Sequence, residues 1–521
     1  MVAAELLLAL LIVVAVLVTL SRRIRVPYPV LLLLGGLAVG LLPGIPPLEL
    51  DPEIVFLVVL PPLLYVSAFL TPIRDFKTNL KNIGSLAVGL VAASAAVVAA
   101  LAMVLVPGMS WPLAVALGSI VSPPDAVAAT AIAQRLAVPR RIVSILEGES
   151  LLNDATALTI YRAAIGAAAA AVTVSVVGSL ASFVFVALGG ILIGLVVGWI
   201  VGWIRAHLTD TPVEITISLL TPYAAYLPAE LLGVSGVLAA VTAGLFLGRR
   251  SSLIMGSEAR LAGRAVWESL VFLLNGVVFL AIGFQISSIS RGMERTTLLQ
   301  LAAVGVLISV ALIAVRALWV LGMSLRELLA KDPRRTRLRE SIVLSWAGMR
   351  GVVSLAAALA LPISALPGSA LPARDAIIII TFTVILVTLV GQGLTLPLVI
   401  RAVGLGSDAD EGHEESHARQ ELIDEALRRI DDLEKKWPDH RPLIDQLRTS
   451  YQHRAEHEEQ LHEAPGNEAE QELVEHRQIR SDVIDAQRDA LSAMRDRGAI
   501  DDDVLRSIER ELDLEEIRME A

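Results

Sequence analysis

The chain has 521 residues, 55% of them hydrophobic, no Cys, and a mean hydropathy of +0.67. That balance excludes a soluble fold and any disulfide framework, and it reads as an all-α polytopic membrane protein. The net charge of −10 conceals two opposite halves: residues 1–407 carry 27 Lys/Arg against 19 Asp/Glu, and residues 408–521 carry 16 against 34. The expected organisation is therefore a membrane domain over 1–405 and an acidic cytoplasmic helical tail over 406–521.

Crossing a hydrocarbon core of about 30 Å takes about 20 apolar residues in a helix. Thirteen runs or near-runs meet that need: 2–20, 26–42, 54–70, 83–106, 112–133, 142–163, 175–204, 213–229, 234–248, 264–286, 298–325, 338–361 and 375–401. The first opens MVAAE without a basic leader and is followed by SRRIR, so it reads as a retained helix rather than a signal peptide. With the tail inside the cell, an odd number of helices puts the N-terminus outside, and alternate loops should be basic. Of the Lys and Arg in this half, 20 fall in the loops so assigned to the cytoplasm, Arg205 among them, and four (Arg162, Arg291, Arg295, Arg374) fall at the outer side. Slipping the count by one helix destroys this alternation.

With Arg401 at the tail junction set aside, two basic residues, Arg316 and Arg350, are left in mid-helix, against three acids well inside spans, Asp125, Glu149 and Asp154. An intramembrane charge costs about 2.5–3.5 kcal/mol even on lenient insertion scales, so such groups pair or face water. Two cations do not cancel three anions. The surplus must be met by a proton, a bound cation, or each in turn.

In GESLLND (148–154), Ser150 and Asp154 are four residues apart on a helix, as are Glu149 and Asn153, so the segment carries two adjoining polar rows. One row can coordinate while the other braces. The preceding run contains SPPDAVAAT (122–130), where Pro123 and Pro124 remove two backbone donors in mid-membrane and disfavour helix beside Asp125. WAGMRGVVS (346–354) is a second candidate break, with Gly348 and Gly351 flanking Arg350. Broken helices near the bilayer midplane, with carbonyls and half-helix ends aimed at an ion, build small-cation sites. Oxygen ligands suit a hard cation, and residues 1–405 hold no Cys and only His207.

Together GESLLND, SPPDAVAA, VFLVVLPPLLY (55–65), AVRALWVLG (314–322) and WAGMRG (346–351) resemble the monovalent cation:proton antiporters of the NhaP/NHE sodium/proton exchanger type, over roughly residues 1–405. The resemblance implies a bacterial inner-membrane homodimer of thirteen-helix protomers built on inverted repeats, with two broken crossing helices. It also implies Asp154 as the cation- and proton-binding aspartate, with Asn153 before it, Asp125 at the crossing, Ser150 as a hydroxyl ligand and Pro124 as a carbonyl ligand. Asp154, Asp125 and Ser150 would then hold Na+. Glu149 is implied to pair structurally with Arg316, and Arg350 to compensate charge in the second break. This chain departs from the family in having Ala126 after Asp125, where a proline is usual, with its prolines placed before.

The function so implied is export of Na+ or Li+ against entry of H+ by alternating access, one for one, serving pH and sodium homeostasis. One carboxylate cannot hold proton and cation together, and Asn153 cannot carry a second proton. The runner-up is a K+/H+ antiporter with the same mechanism, and a cation channel stands behind both. No enzyme, cofactor or nucleic-acid partner is expected, since the membrane region lacks the nucleophile and base a reaction would need. The tail, with seven of the eight His and apolar residues at helical spacing over 421–437, 442–463, 470–498 and 501–520, is expected to form three or four amphipathic helices that regulate or stabilise a dimer.

Overall fold

The structure, a computed structural model, describes residues 2–24, 26–41, 52–136, 138–170, 176–290, 293–329, 336–361, 372–405, 409–463, 467–497 and 499–520. Expected loop cations such as Arg25, Lys331, Arg334 and Arg335 lie outside the described residues. The chain divides into two compact units, Met1–Ser407 and Asp408–Ala521, and among the described residues both are helical, with no strand.

The first unit runs α1 (Val2–Ile24), α2 (Tyr28–Gly40), α3 (Pro52–Ile54), α4 (Leu60–Leu70), α5 (Ile73–Gly84), α6 (Val91–Leu105), α7 (Trp111–Val121), α8 (Ala126–Arg135) and α9 (Arg140–Ala170). It continues with α10 (Val176–Arg205), α11 (Thr211–Leu231), α12 (Gly236–Ile254), α13 (Ser257–Ser290), α14 (Arg295–Leu329), α15 (Thr336–Trp346), α16 (Val352–Leu359), α17 (Pro372–Leu386) and α18 (Gly393–Val403). Short π-helical turns carry α3 into α4, α5 into α6 and α17 into α18.

Among the described residues seven helices are long and apolar enough to cross a membrane, and three shorter apolar ones span Leu10–Ser21, Tyr28–Gly40 and Val55–Leu70. The protein is a multi-pass membrane protein. The expected run at 142–163 falls inside α9 but is not among the seven, because Glu147, Glu149 and Asp154 interrupt its apolar character. The runs at 112–133 and 338–361 are each two helices: α7 stops at Val121 and α8 starts at Ala126, and α15 stops at Trp346 before α16 begins at Val352. Prolines explain the first stop, since neither Pro123 nor Pro124 can donate to a helix carbonyl.

Among the described residues, fourteen of these helices pack as two groups. In one, α13 lies along α2, and α12 along both α10 and α4, with α11 beside them. In the other, α7 packs on α6 and α9, α5 on α9, α14 on α15 and α17, and α16 on α7 and α17. Close approach within the first group depends on missing side chains: Gly36 rests on the Leu280 carbonyl and Gly283 on the Leu33 carbonyl, so α2 and α13 touch backbone to backbone.

One expectation is corrected here. Arg205, assigned to a cytoplasmic loop, is the last residue of α10 and is 1% exposed, paired with Glu214 of α11 at 3.2 Å. Five residues of turn, 206–210, reverse the chain between them, and Asp210 caps α11 by accepting from Val213 N–H at 3.1 Å. The turn therefore folds the guanidinium back onto a carboxylate instead of into solvent.

The second unit has α19 (Ala409–Lys436), α20 (Arg441–Glu463), α21 (Asn467–Asp496) and α22 (Asp502–Glu520). Pro442 falls inside the first turn of α20, where its missing N–H costs nothing, rather than breaking a helix. Helices α19 and α20 pack as one pair and α21 and α22 as another, burying Ile423, Ile430 and Ile444 in the first and Ile484, Leu491, Leu505 and Leu512 in the second. An arginine crosses each pair: Arg448 donates to Glu434 at 2.7 Å and Asp431 at 2.9 Å, and Arg488 donates to Glu516 and Asp513, each at 2.6 Å. Those hydrogen bonds to carboxylates hold both guanidinium groups above their ordinary pKa.

Candidate cation and proton site

The two breaks meet. Asp125 N–H donates to the Met349 carbonyl at 2.6 Å, tying the α7–α8 break to the α15–α16 break. The Asp125 carboxylate accepts from Val127 N–H at 2.8 Å and lies against Gly351, immediately before α16. It thus stands at the N-terminal ends of both α8 and α16, where unpaired N–H groups and the helix dipoles favour negative charge. Gly351 makes this possible, because a Cβ at that position would overlap the Asp125 carboxylate.

The opposite helix ends are covered by two arginines, Arg316 within α14 and Arg350, expected in mid-helix but lying in the break between α15 and α16. Arg350, 2% exposed, donates from Nε to the Val121 carbonyl at 3.0 Å and from Nη2 to the Ser122 carbonyl at 3.4 Å, and from Nη1 to the Gly348 carbonyl. Its backbone N–H is held by Thr388 Oγ1 at 3.2 Å. A fixed cation thereby sits on the carbonyl end of α7. Arg316 does the same for α15, its Nε donating to the Leu344 carbonyl at 2.9 Å, while Nη1 and Nη2 reach Glu149 at 2.5 and 2.8 Å.

Both arginines are thus engaged away from the aspartates. Among the described residues neither Asp125 nor Asp154 has a basic partner, and no protein hydrogen bond to the Asp154 carboxylate occurs. Asp154 is 6% exposed. It shares with Asp125, Ser150, Pro124 and Ser354 a cavity of about 70 Å³, between the two helix groups. That space admits a small cation with a few waters, a water needing about 10–15 Å³ of such volume.

Of the expected ligands, Asp125, Ser150, Asp154 and Pro124 line this cavity, and Asn153 does not. Asn153 lies on the other row of α9, and its Nδ2 donates to the Pro124 carbonyl at 2.8 Å. Expected as a cation ligand, Asn153 braces the break through its Nδ2 while its Oδ1 is buried without a hydrogen-bond partner, and the Pro124 carbonyl, expected to face a cation, accepts from it. The reason is angular: on α9, positions 149 and 153 point about 100° away from 150 and 154. No cluster of three or more His, Cys, Asp or Glu exists among the described residues.

Sequence reasoning passed over Ser67, Ser354 and Asn275, which also line the cavity. Asn275 carried a signal, an amide in the middle of the apolar run 264–286.

The profile of the sodium/hydrogen exchanger transmembrane family matches residues 9–402. The chain belongs to that family. It is accordingly a secondary transporter and not an enzyme. A protein named as an uncharacterised Na+/H+ exchanger of Mycobacterium tuberculosis is 36% identical over 524 residues, covering 98% of this chain and 95% of the relative. The Na+/H+ antiporter ApNhaP of Aphanothece halophytica is 34% identical, over 77% of this chain and 75% of its own. A Bacillus pumilus relative, 32% identical over 78% of this chain and 62% of its own, is named as a sodium, potassium, lithium and rubidium/H+ antiporter. The sodium proton antiporter MjNhaP1 of Methanocaldococcus jannaschii shares the fold, with a TM-score of 0.63 at 21% identity, over 78% of this chain and 99% of that one.

Proposed function

We propose that this exchanger moves Na+ or Li+ out of the cell and H+ in, one for one, with Asp154 as the exchanged site and Asp125 and Ser150 completing it. The observation that carries the reading is the pair of carboxylates facing one cavity with every nearby arginine committed elsewhere. Two unneutralised acids in a low dielectric cannot stay empty and charged together, so the site holds either a cation or a proton. Asn153, a neutral amide committed to Pro124, adds no second protonation site, which supports electroneutral exchange.

The cavity lies where the two helix groups meet, so rocking of one group against the other would open it to each side in turn. Glu149 and Arg316 hold α9 to α14 and leave little field for a cation. Thirteen spans, an external N-terminus, a cytoplasmic tail, a plasma-membrane homodimer and a role in pH homeostasis complete the reading, supported by the alternating basic loops and the bacterial relatives. The tail's paired helices suit regulation or dimer contacts.

The broad cation range in the Bacillus pumilus relative's name favours K+ as the second reading. Purified protein in liposomes with an imposed pH gradient separates these readings. Wild type should dissipate the gradient on addition of Na+ or Li+, and Asp154→Asn should not. A response to K+ alone selects the second reading. Cation flux without linked proton movement overturns exchange, and full-rate exchange by Asp154→Asn overturns the site.

A further inference from the structure

The cavity is built from both helix groups, but unequally. Asp125, Ser150, Asp154 and Ser354 all come from the group containing α7, α9 and α16. The facing wall, from α4, the π-helical turn that leads into it and α13, is apolar along Val59, Leu60, Leu63 and Leu64, with two polar side chains, Ser67 and Asn275.

Asn275 is the anomaly. It lies in mid α13, is 1% exposed, and its Nδ2 has no hydrogen-bond partner; no side-chain hydrogen bond of Asn275 occurs among the described residues. A buried amide left unpaired costs about 1–3 kcal/mol. Helix packing would place an apolar residue there. Across the cavity stand the two carboxylates and the Ser150 hydroxyl, so what the amide faces is the space a cargo would fill.

We propose that Asn275 is a cation ligand contributed by the opposite helix group, its amide oxygen reaching the ion directly or through one retained water. The inference rests on the exchange reading above and extends it. A primary amide suits this place because it offers an oxygen to a cation and an N–H to a carboxylate left charged. It serves either loading without adding a charge that would upset one-for-one exchange. As a neutral, hard oxygen donor it offsets lost hydration most where hydration is strongest, so it favours Li+ and Na+ over K+. Because α13 belongs to the facing group, this contact is made only while the two groups stand in the relation seen here. The shell is complete in that arrangement and loosened when the groups shift.

The test uses the full chain in liposomes, comparing wild type with Asn275→Ala and Asn275→Ser for Na+, Li+ and K+. Asn275→Ala should raise the apparent KM for Na+ and Li+ about ten-fold, more than for K+, and Asn275→Ser, which keeps an oxygen, should fall between. Thermal unfolding of purified Asn275→Ala should be no lower than wild type, because the lost amide had no protein partner. Unchanged KM values for all three cations in Asn275→Ala, whatever its maximal rate, overturn the proposal. So does a uniform rise across the three together with a lowered unfolding temperature, the mark of a packing role. If the exchange reading itself fails, wild type will show no cation-driven proton flux.

Discussion

Arg316 and Glu149, 167 positions apart in the chain, lie face to face in a two-point ion pair with each side chain 1% exposed. Removing one partner strands a buried charge at a cost of about 3–5 kcal/mol, whereas replacing both costs far less. Arg316→Leu alone should therefore fold poorly, and Glu149→Gln with Arg316→Leu should recover most of the loss. Unfolding temperatures of the single and double variants check this, and an additive loss would contradict it.

Gly351 is the residue against which the Asp125 carboxylate rests. In Gly351→Ala the new methyl must displace either Asp125 or the start of α16. The expected result is a raised apparent KM for the cation with a modest loss of stability, because the displaced group is a proposed ligand. A wild-type KM would mean that the carboxylate had moved without consequence.

Arg350 spreads one guanidinium over the carbonyls of Val121, Ser122 and Gly348. A lysine keeps the charge but not the fork, so Arg350→Lys should satisfy fewer of these acceptors. Loss of a buried hydrogen bond to a charged group costs about 1.5–3 kcal/mol. Lower thermal stability and slowed exchange are expected together, and an unfolding temperature equal to wild type would remove this role.

Arg205 and Glu214 form a second buried pair that does not line the cavity. Glu214→Gln leaves Arg205 without its counter-charge and should cost about 3–5 kcal/mol of stability. Molecules that still fold should keep the wild-type KM for Na+. A changed KM would place this pair in communication with the site.

Much of this protein could be read along the chain. Apolar run length located the membrane helices, and Pro123 with Pro124 marked a break, because both follow from what a single segment does in hydrocarbon. The acids at 125, 149 and 154 stood out because charge in such a segment is costly whatever surrounds it. The resemblance implied Arg316 as the partner of Glu149, but charge along the chain could not sort the acids; packing set Glu149 against that arginine and, among the described residues, left Asp125 and Asp154 without one. It also drew Arg205 inward, turned Asn153 onto Pro124, and set Asn275 across from the carboxylates. Local periodicity says which face of a helix a residue occupies. What stands opposite that face depends on partners tens or hundreds of positions away, so it is settled only when the helices pack.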